Sequence, residues 1–194
     1  MEKTVESLNA EDWADALALF YRYTFVAVTR REHDEWWRDA WSIMRGEARD
    51  PRGWASLDPD AEEEERADDP AFPFVPPPTN TSSDVLLWSR RVTELPGSSA
   101  GSLLVTLATN WLDVSREWEF DRRRPEMERR ARVVLSRFPS KTRFYSNVGW
   151  KGDEPDFYAQ PVRSTDPLSR YDWDAGLIAV SDDEVGLFWS FDAT

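Results

Sequence analysis

The stretch DWDAGLIAVSDDEVGLFWSF, residues 172–191, restricts the fold more than any other part of the chain. Two apolar blocks flank Ser181-Asp182-Asp183-Glu184, a cluster of short polar residues of the kind that turns the chain. With Asp182 and Asp183 as the loop residues, Val180 faces Val185, Ile178 faces Leu187 and Gly176 faces Trp189. A four-residue Ser-Asp-Asp-Glu turn gives a similar register. Strand side chains alternate, so Ile178, Val180, Val185, Leu187, Trp189 and Phe191 collect on one face. Leu177, Ala179, Gly186 and Phe188 collect on the other. A slip of one residue would send Ile178 and Leu187 to opposite faces. Both faces are apolar, which predicts a hairpin that is central in its sheet or covered on both sides.

The same β texture runs through residues 140–194. RFYSNVGW, DFYAQPV, AGLIAVS and EVGLFWSF are short, β-rich and separated by Gly, Pro and Asp, and they predict four antiparallel strands. Upstream, helical spacing dominates. Asn9 caps a first helix carrying Trp13, Leu17, Phe20 and Thr24, and TFVAV (24–28) is read as its continuation. Thr29-Arg30-Arg31-Glu32 fits a capping box for a second helix, on which Trp36, Trp37, Ala40, Trp41 and Met44 share a face. Val85, Trp88, Val92 and Leu95 define a third over about 83–95, and PGSSAG (96–101) a loop after it. Leu104, Leu107, Trp111, Val114 and Trp118 step by three and four, predicting one helix through Trp118. Pro125 suits the first turn of a fifth, whose buried face is Met127, Ala131, Val134, Leu135 and Phe138. The expected fold is therefore α+β: a helical N-terminal two-thirds of about five helices packed with a C-terminal antiparallel β module of about four strands. It forms a single domain over 1–194, with an acidic and proline-rich linker or long loop at 58–82.

Charge sharpens that picture. The net charge is −13, and −7 of it falls in DPDAEEEERADDP, residues 58–70. Direct binding to nucleic-acid phosphate is disfavoured by this balance, and a partner with a basic surface is favoured. The chain has no cysteine, which removes disulfides, thiolate metal sites and a cysteine nucleophile. No apolar run reaches membrane-spanning length and the N-terminus lacks the apolar core of a signal peptide, so a cytoplasmic protein is expected, with no membrane partner.

Chemical motifs are sparse. There is no glycine-rich phosphate loop and no nucleophile elbow. His33 is the only histidine, so a multi-histidine metal site is excluded, and no metal or cofactor is expected. Arg122, Arg123, Arg124, Arg129, Arg130, Arg132 and Arg137 crowd the fifth helix, a solvated face expected to pair with Glu126, Glu128 and the acidic run 58–70. The most site-like segment is 146–161, where Trp150 and Tyr158 stand beside Asp153 and Asp156, with Tyr145 close in sequence. Asp172 and Asp174 flank Trp173 and project to one side of a strand. Aromatic plates beside carboxylates suit a small ligand or a basic peptide.

Three functional readings follow. The leading one is a non-enzymatic, acidic protein–protein interaction protein, of the inhibitor or immunity type, that binds a basic partner through surfaces containing Trp36, Trp37, Trp41 and Glu62, Glu63, Glu64 and Glu65. The second is a small-ligand binder or enzyme using Tyr145, Trp150, Asp153, Asp156, Tyr158, Asp172 and Asp174. The third is a subunit of a homo-oligomer that buries its tryptophan face.

Overall fold

The computed structural model describes residues 8–20, 23–50, 63–77 and 81–191. In chain order these form α1 (Ala10–Leu17), β1 (Thr24–Arg30), α2 (Trp36–Met44), α3 (Glu63–Asp68), α4 (Ser82–Ser89) and β2 (Thr93–Leu95). They continue with α5 (Gly97–Leu107), α6 (Phe120–Leu135), β3 (Arg143–Ser146), β4 (Asp174–Val180) and β5 (Glu184–Phe191). Two 3-10 turns, Asn110–Leu112 and Val114–Arg116, lie between α5 and α6. The fold is α+β, with one antiparallel sheet in the order β1-β5-β4-β3-β2.

The hairpin β4–β5 has the register that its alternation predicts: Val180 opposite Val185, Ile178 opposite Leu187 and Gly176 opposite Trp189. The Ser181 N–H donates to the Glu184 carbonyl at 2.9 Å, and the Ser181 hydroxyl accepts from the Glu184 N–H at 2.9 Å, which closes the turn. Every residue of β4 is buried. One face, with Leu177, Ala179 and Phe188, packs against residues of α1, α5 and α6. The other, with Ile178, Val180, Leu187 and Trp189, packs against Trp41 of α2, Trp88 of α4 and Phe74. The hairpin is thus the middle layer between two apolar clusters. Gly176 is required there, because a Cβ would overlap the Trp189 ring.

Several boundaries differ from the sequence expectation. The sheet has five strands rather than four, and two of them lie within the helical part of the chain. TFVAV is β1, not a helix extension, because its β-branched residues pair along the open edge of β5, from Thr24 opposite Ser190 to Arg30 opposite Glu184. Residues 93–95 leave the third helix to pair with β3. Residues 156–162 are not a strand: the Asp156 carboxylate accepts the Tyr158 N–H at 2.9 Å and holds a turn. PGSSAG is not a loop, since Gly97 already begins α5. α2 begins at Trp36 rather than near Thr29, because Arg30 is still paired with β5. The N–H groups that Glu32 and His33 leave behind are accepted by Asp39, at 3.3 and 3.4 Å. Pro125 lies inside α6, not in its first turn, because the chain already becomes helical at Phe120.

Two buried polar centres tie the layers together. Arg137, 1% exposed in its side chain, bonds Asp50 at 2.5 Å and Glu184 at 2.7 Å, joining the end of α6 to the β4–β5 turn. Its paired acids raise its pKa against the opposing effect of burial, so the guanidinium stays charged. Asp174 accepts from the Ser169 N–H at 2.7 Å, the Leu168 N–H at 3.0 Å, the Asn147 amide at 2.8 Å and the Trp189 indole at 3.0 Å.

Candidate functional site

The segment between α5 and α6 departs from regular geometry. Thr106 and Thr109 donate their hydroxyls to the Ser102 and Thr106 carbonyls at 2.9 and 2.7 Å, which ties off the last turn of α5. The chain then reverses through Trp111 and Leu112, with φ of +63° and +50°. Glu119, at +51°, redirects it into α6. Three of the four non-glycine residues with positive φ among the described residues therefore fall in one loop. Such a conformation costs a non-glycine residue on the order of 1–2 kcal/mol.

What holds the loop is buried beneath it. Leu112 and Val114 are buried. The Asp113 carboxylate, also buried, accepts the Ser115 hydroxyl at 2.6 Å and its N–H at 3.0 Å. The Ser115 hydroxyl bond is the largest cause of its lowered pKa, with the Arg163 and Arg116 charges adding to it against burial. Glu117 is 9% exposed, pairs with Arg123 and accepts the Asn110 N–H at 3.3 Å. Between these anchors the indoles of Trp111 and Trp118 project outward, 59% and 79% exposed, and Trp118 is the most exposed large apolar side chain among the described residues.

The residues on either side of Trp118, Glu117 and Glu119, line a cleft of about 580 Å³ together with Phe120, Asp121, Arg122, Arg124 and Tyr158. Phe120 and Tyr158 pack with ring centroids 5.5 Å apart, and the Arg124 guanidinium lies 4.4 Å over the Tyr158 ring. Burial is the main reason the Tyr158 hydroxyl titrates well above its usual range, so it remains a neutral hydrogen-bonding group at physiological pH. The arrangement offers flat apolar surface, a guanidinium stacked on a phenol and carboxylates at the rim. These are the components of a docking site, and among the described residues no cluster of histidines and acids is placed to hold a metal ion.

The residues expected from sequence to form a ligand site are dispersed. Tyr145 lies in the apolar cluster on the α2 side, stacked 4.3 Å from Trp36, whereas Trp150 and Tyr158 pack against the cluster on the other side. Asp153, Asp156 and Asp172 are exposed, and Asp174 is fully buried in its hydrogen-bond network. Asp172 and Asp174 therefore form no pair. Of this set only Tyr158 reaches the cleft lining.

Trp36, Trp37 and Trp41 pack within the aromatic cluster on the other face of the sheet: Trp41 is 0% exposed and 5.7 Å from Trp88, and Trp37 lies 4.4 Å from Trp41. Glu62 and the side chains of Glu63 and Glu64 lie outside the described residues, and Glu65 is exposed on α3. Of the arginines of α6, Arg122 pairs with Glu119, Arg124 with Glu128, and Arg129 and Arg130 with Asp15 and Glu126, so the expected pairing with Glu126 and Glu128 is present, whereas residues 58–62 and the side chains of Glu63 and Glu64 lie outside the described residues. In the described part of the acidic run, Asp69 pairs instead with Arg170.

The exposure of Trp111 and Trp118 is not legible in the sequence, because they continue a three-four spacing begun by Leu104 and Leu107, which reads as a buried helical stripe. The counter-signal was the density of Thr109, Asn110, Asp113 and Ser115, residues whose side chains compete for backbone groups and end helices. No family model matches the chain, and no curated protein or solved structure is significantly similar to it.

Proposed function

We propose that this chain is a non-enzymatic, cytoplasmic interaction protein that docks a partner with a basic surface through the loop carrying Trp111 and Trp118. The observation that carries this reading is the pair of solvent-facing tryptophans on a loop with three left-handed non-glycine residues, held by buried carboxylates. Exposed indoles keep an unfavourable apolar hydration that folding does not remove, and a left-handed Trp111 adds backbone strain. Both costs are offset when a partner covers the surface. Tryptophan is also the residue most often found at the energetic centre of protein interfaces. The net charge of −13 supports a partner of opposite sign.

Affinity capture from extract of the source organism, with the wild type and a Trp111→Ala/Trp118→Ala variant side by side, tests the proposal. A basic protein retained by the wild type, released by high salt and lost with the variant is the expected result. Identical captured proteins from both chains would sink it. A small-ligand reading draws on the same place, because about 580 Å³ lies within the usual range of ligand clefts. Under that reading a compound from the extract, rather than a protein, would remain bound to the purified wild type and be lost with Tyr158→Ala, which removes a ring from the cleft lining.

A further inference from the structure

We infer that the occupant of the Trp111–Trp118 site is an arginine-bearing segment of the partner protein; this rests on the docking reading above and specifies its chemistry. The first support is what the cleft already does with its own arginine. Arg124 lies 4.4 Å over the Tyr158 ring and bonds Glu128 at 2.9 Å, so a guanidinium is held flat on an aromatic face with a carboxylate at its edge. That is the geometry by which proteins recognise guanidinium groups in general. Trp111 and Trp118 offer two further faces of the same kind, exposed and therefore available.

The second support is charge. The cleft lining carries three carboxylates, Glu117, Glu119 and Asp121, against two guanidinium groups, Arg122 and Arg124. Both arginines are committed, Arg122 to Glu119 at 2.5 Å and Arg124 to Glu128. Glu117 is committed to Arg123. Asp121 is exposed and has no ion-pair or hydrogen-bond partner among the described residues, and Asp156 adds an exposed carboxylate close enough to act on both Arg124 and Tyr158. An incoming arginine would stack on an indole face and bond Asp121. A lysine would satisfy the charge but not the planar stacking, and an acidic or phosphorylated segment would meet the Asp121 carboxylate, which no arginine among the described residues neutralises.

The test uses the full chain and three synthetic peptides of one length, alternating serine with arginine, lysine or citrulline; citrulline keeps the shape of arginine without its charge. Binding is followed at low salt by the indole N–H signals of Trp111 and Trp118 in NMR, assigned with Trp111→Phe and Trp118→Phe chains. The arginine peptide is expected to shift both signals and to bind more tightly than the lysine peptide, and the citrulline peptide to leave the signals in place. Asp121→Asn should weaken arginine-peptide binding about two- to fivefold, the effect of losing one exposed ion pair. Asp182→Asn removes the same charge at the β4–β5 turn, beyond the other end of α6, which is about 24 Å long. It should weaken binding by less than Asp121→Asn. Equal loss in the two variants would mean diffuse attraction to a net-negative chain and would overturn the inference, as would equal binding of the citrulline peptide. If the peptides fail while the tryptophan variant still loses its partner from extract, the docking reading stands and only the arginine assignment falls.

Discussion

Asp174 is a carboxylate whose chemistry is spent on structure. Removing it leaves the Ser169 and Leu168 N–H groups and the Trp189 indole without their acceptor, while the Asn147 amide keeps only the Asp166 and Asp174 backbone carbonyls. Asp174→Ala should therefore cost about 3–5 kcal/mol in urea unfolding. Asp172→Ala, two residues away and exposed, should change stability by less than about 0.5 kcal/mol. Burial raises the Asp174 pKa above its ordinary value, against the pull of its donors. A raised folded-state pKa means the proton is bound more tightly in the folded chain than in the unfolded one. The contribution is fully present below the unfolded carboxylate range and is lost as pH rises through the folded value. The stability advantage of wild type over Asp174→Asn should thus shrink with rising pH; an advantage that grows would contradict this. Trp111 is the opposite case, a large residue held where glycine is preferred. Trp111→Gly should raise stability by about 0.5–1 kcal/mol while weakening partner capture. A purely structural Trp111 would lose stability instead.

At the scale of elements, the hairpin was legible and the inter-helix loop was not. Alternation with period two leaves one register in which both apolar sets stay together, so β4 and β5 follow from their own residues. Gly176→Ala should destabilise by about 1–3 kcal/mol or more, since its Cβ needs the space of the Trp189 ring. β1 illustrates the limit. TFVAV is compatible with helix or strand by itself, and pairing with β5, more than 150 residues away in the chain, decides it. Arg137 reads as one more exposed arginine of a basic helix, yet it is the buried link between α6, Asp50 and the hairpin turn. Arg137→Ala should cost about 3–5 kcal/mol in thermal or urea unfolding, because it removes the guanidinium that bridges the buried Asp50 carboxylate and Glu184.

For the whole molecule, two apolar clusters on either side of a five-stranded sheet absorb most of the large side chains and leave Trp111 and Trp118 outside. The Trp111→Ala/Trp118→Ala chain should accordingly keep wild-type unfolding within about 1 kcal/mol and lose its partner. No described helix is long and apolar enough to cross a membrane.

Composition and local pattern were enough to establish an α+β chain, a central two-faced hairpin with its register, and a concentration of negative charge in 58–70. These properties depend on neighbours in sequence or on a period of two, so they are written locally. Tertiary structure alone decided which tryptophans are core and which are surface. Trp36, Trp37 and Trp41 share a helix face that the sequence offers to a partner, yet Trp41 is core and Trp36 and Trp37 pack half-buried against it, whereas Trp111 and Trp118 continue an apolar stripe past the end of α5 and face solvent. The physical reason is that burial is a competition for limited core volume. Leu112 and Val114 win the places beneath the loop, buried Asp113 and Glu117 fix its backbone, and the two indoles between them are left facing solvent.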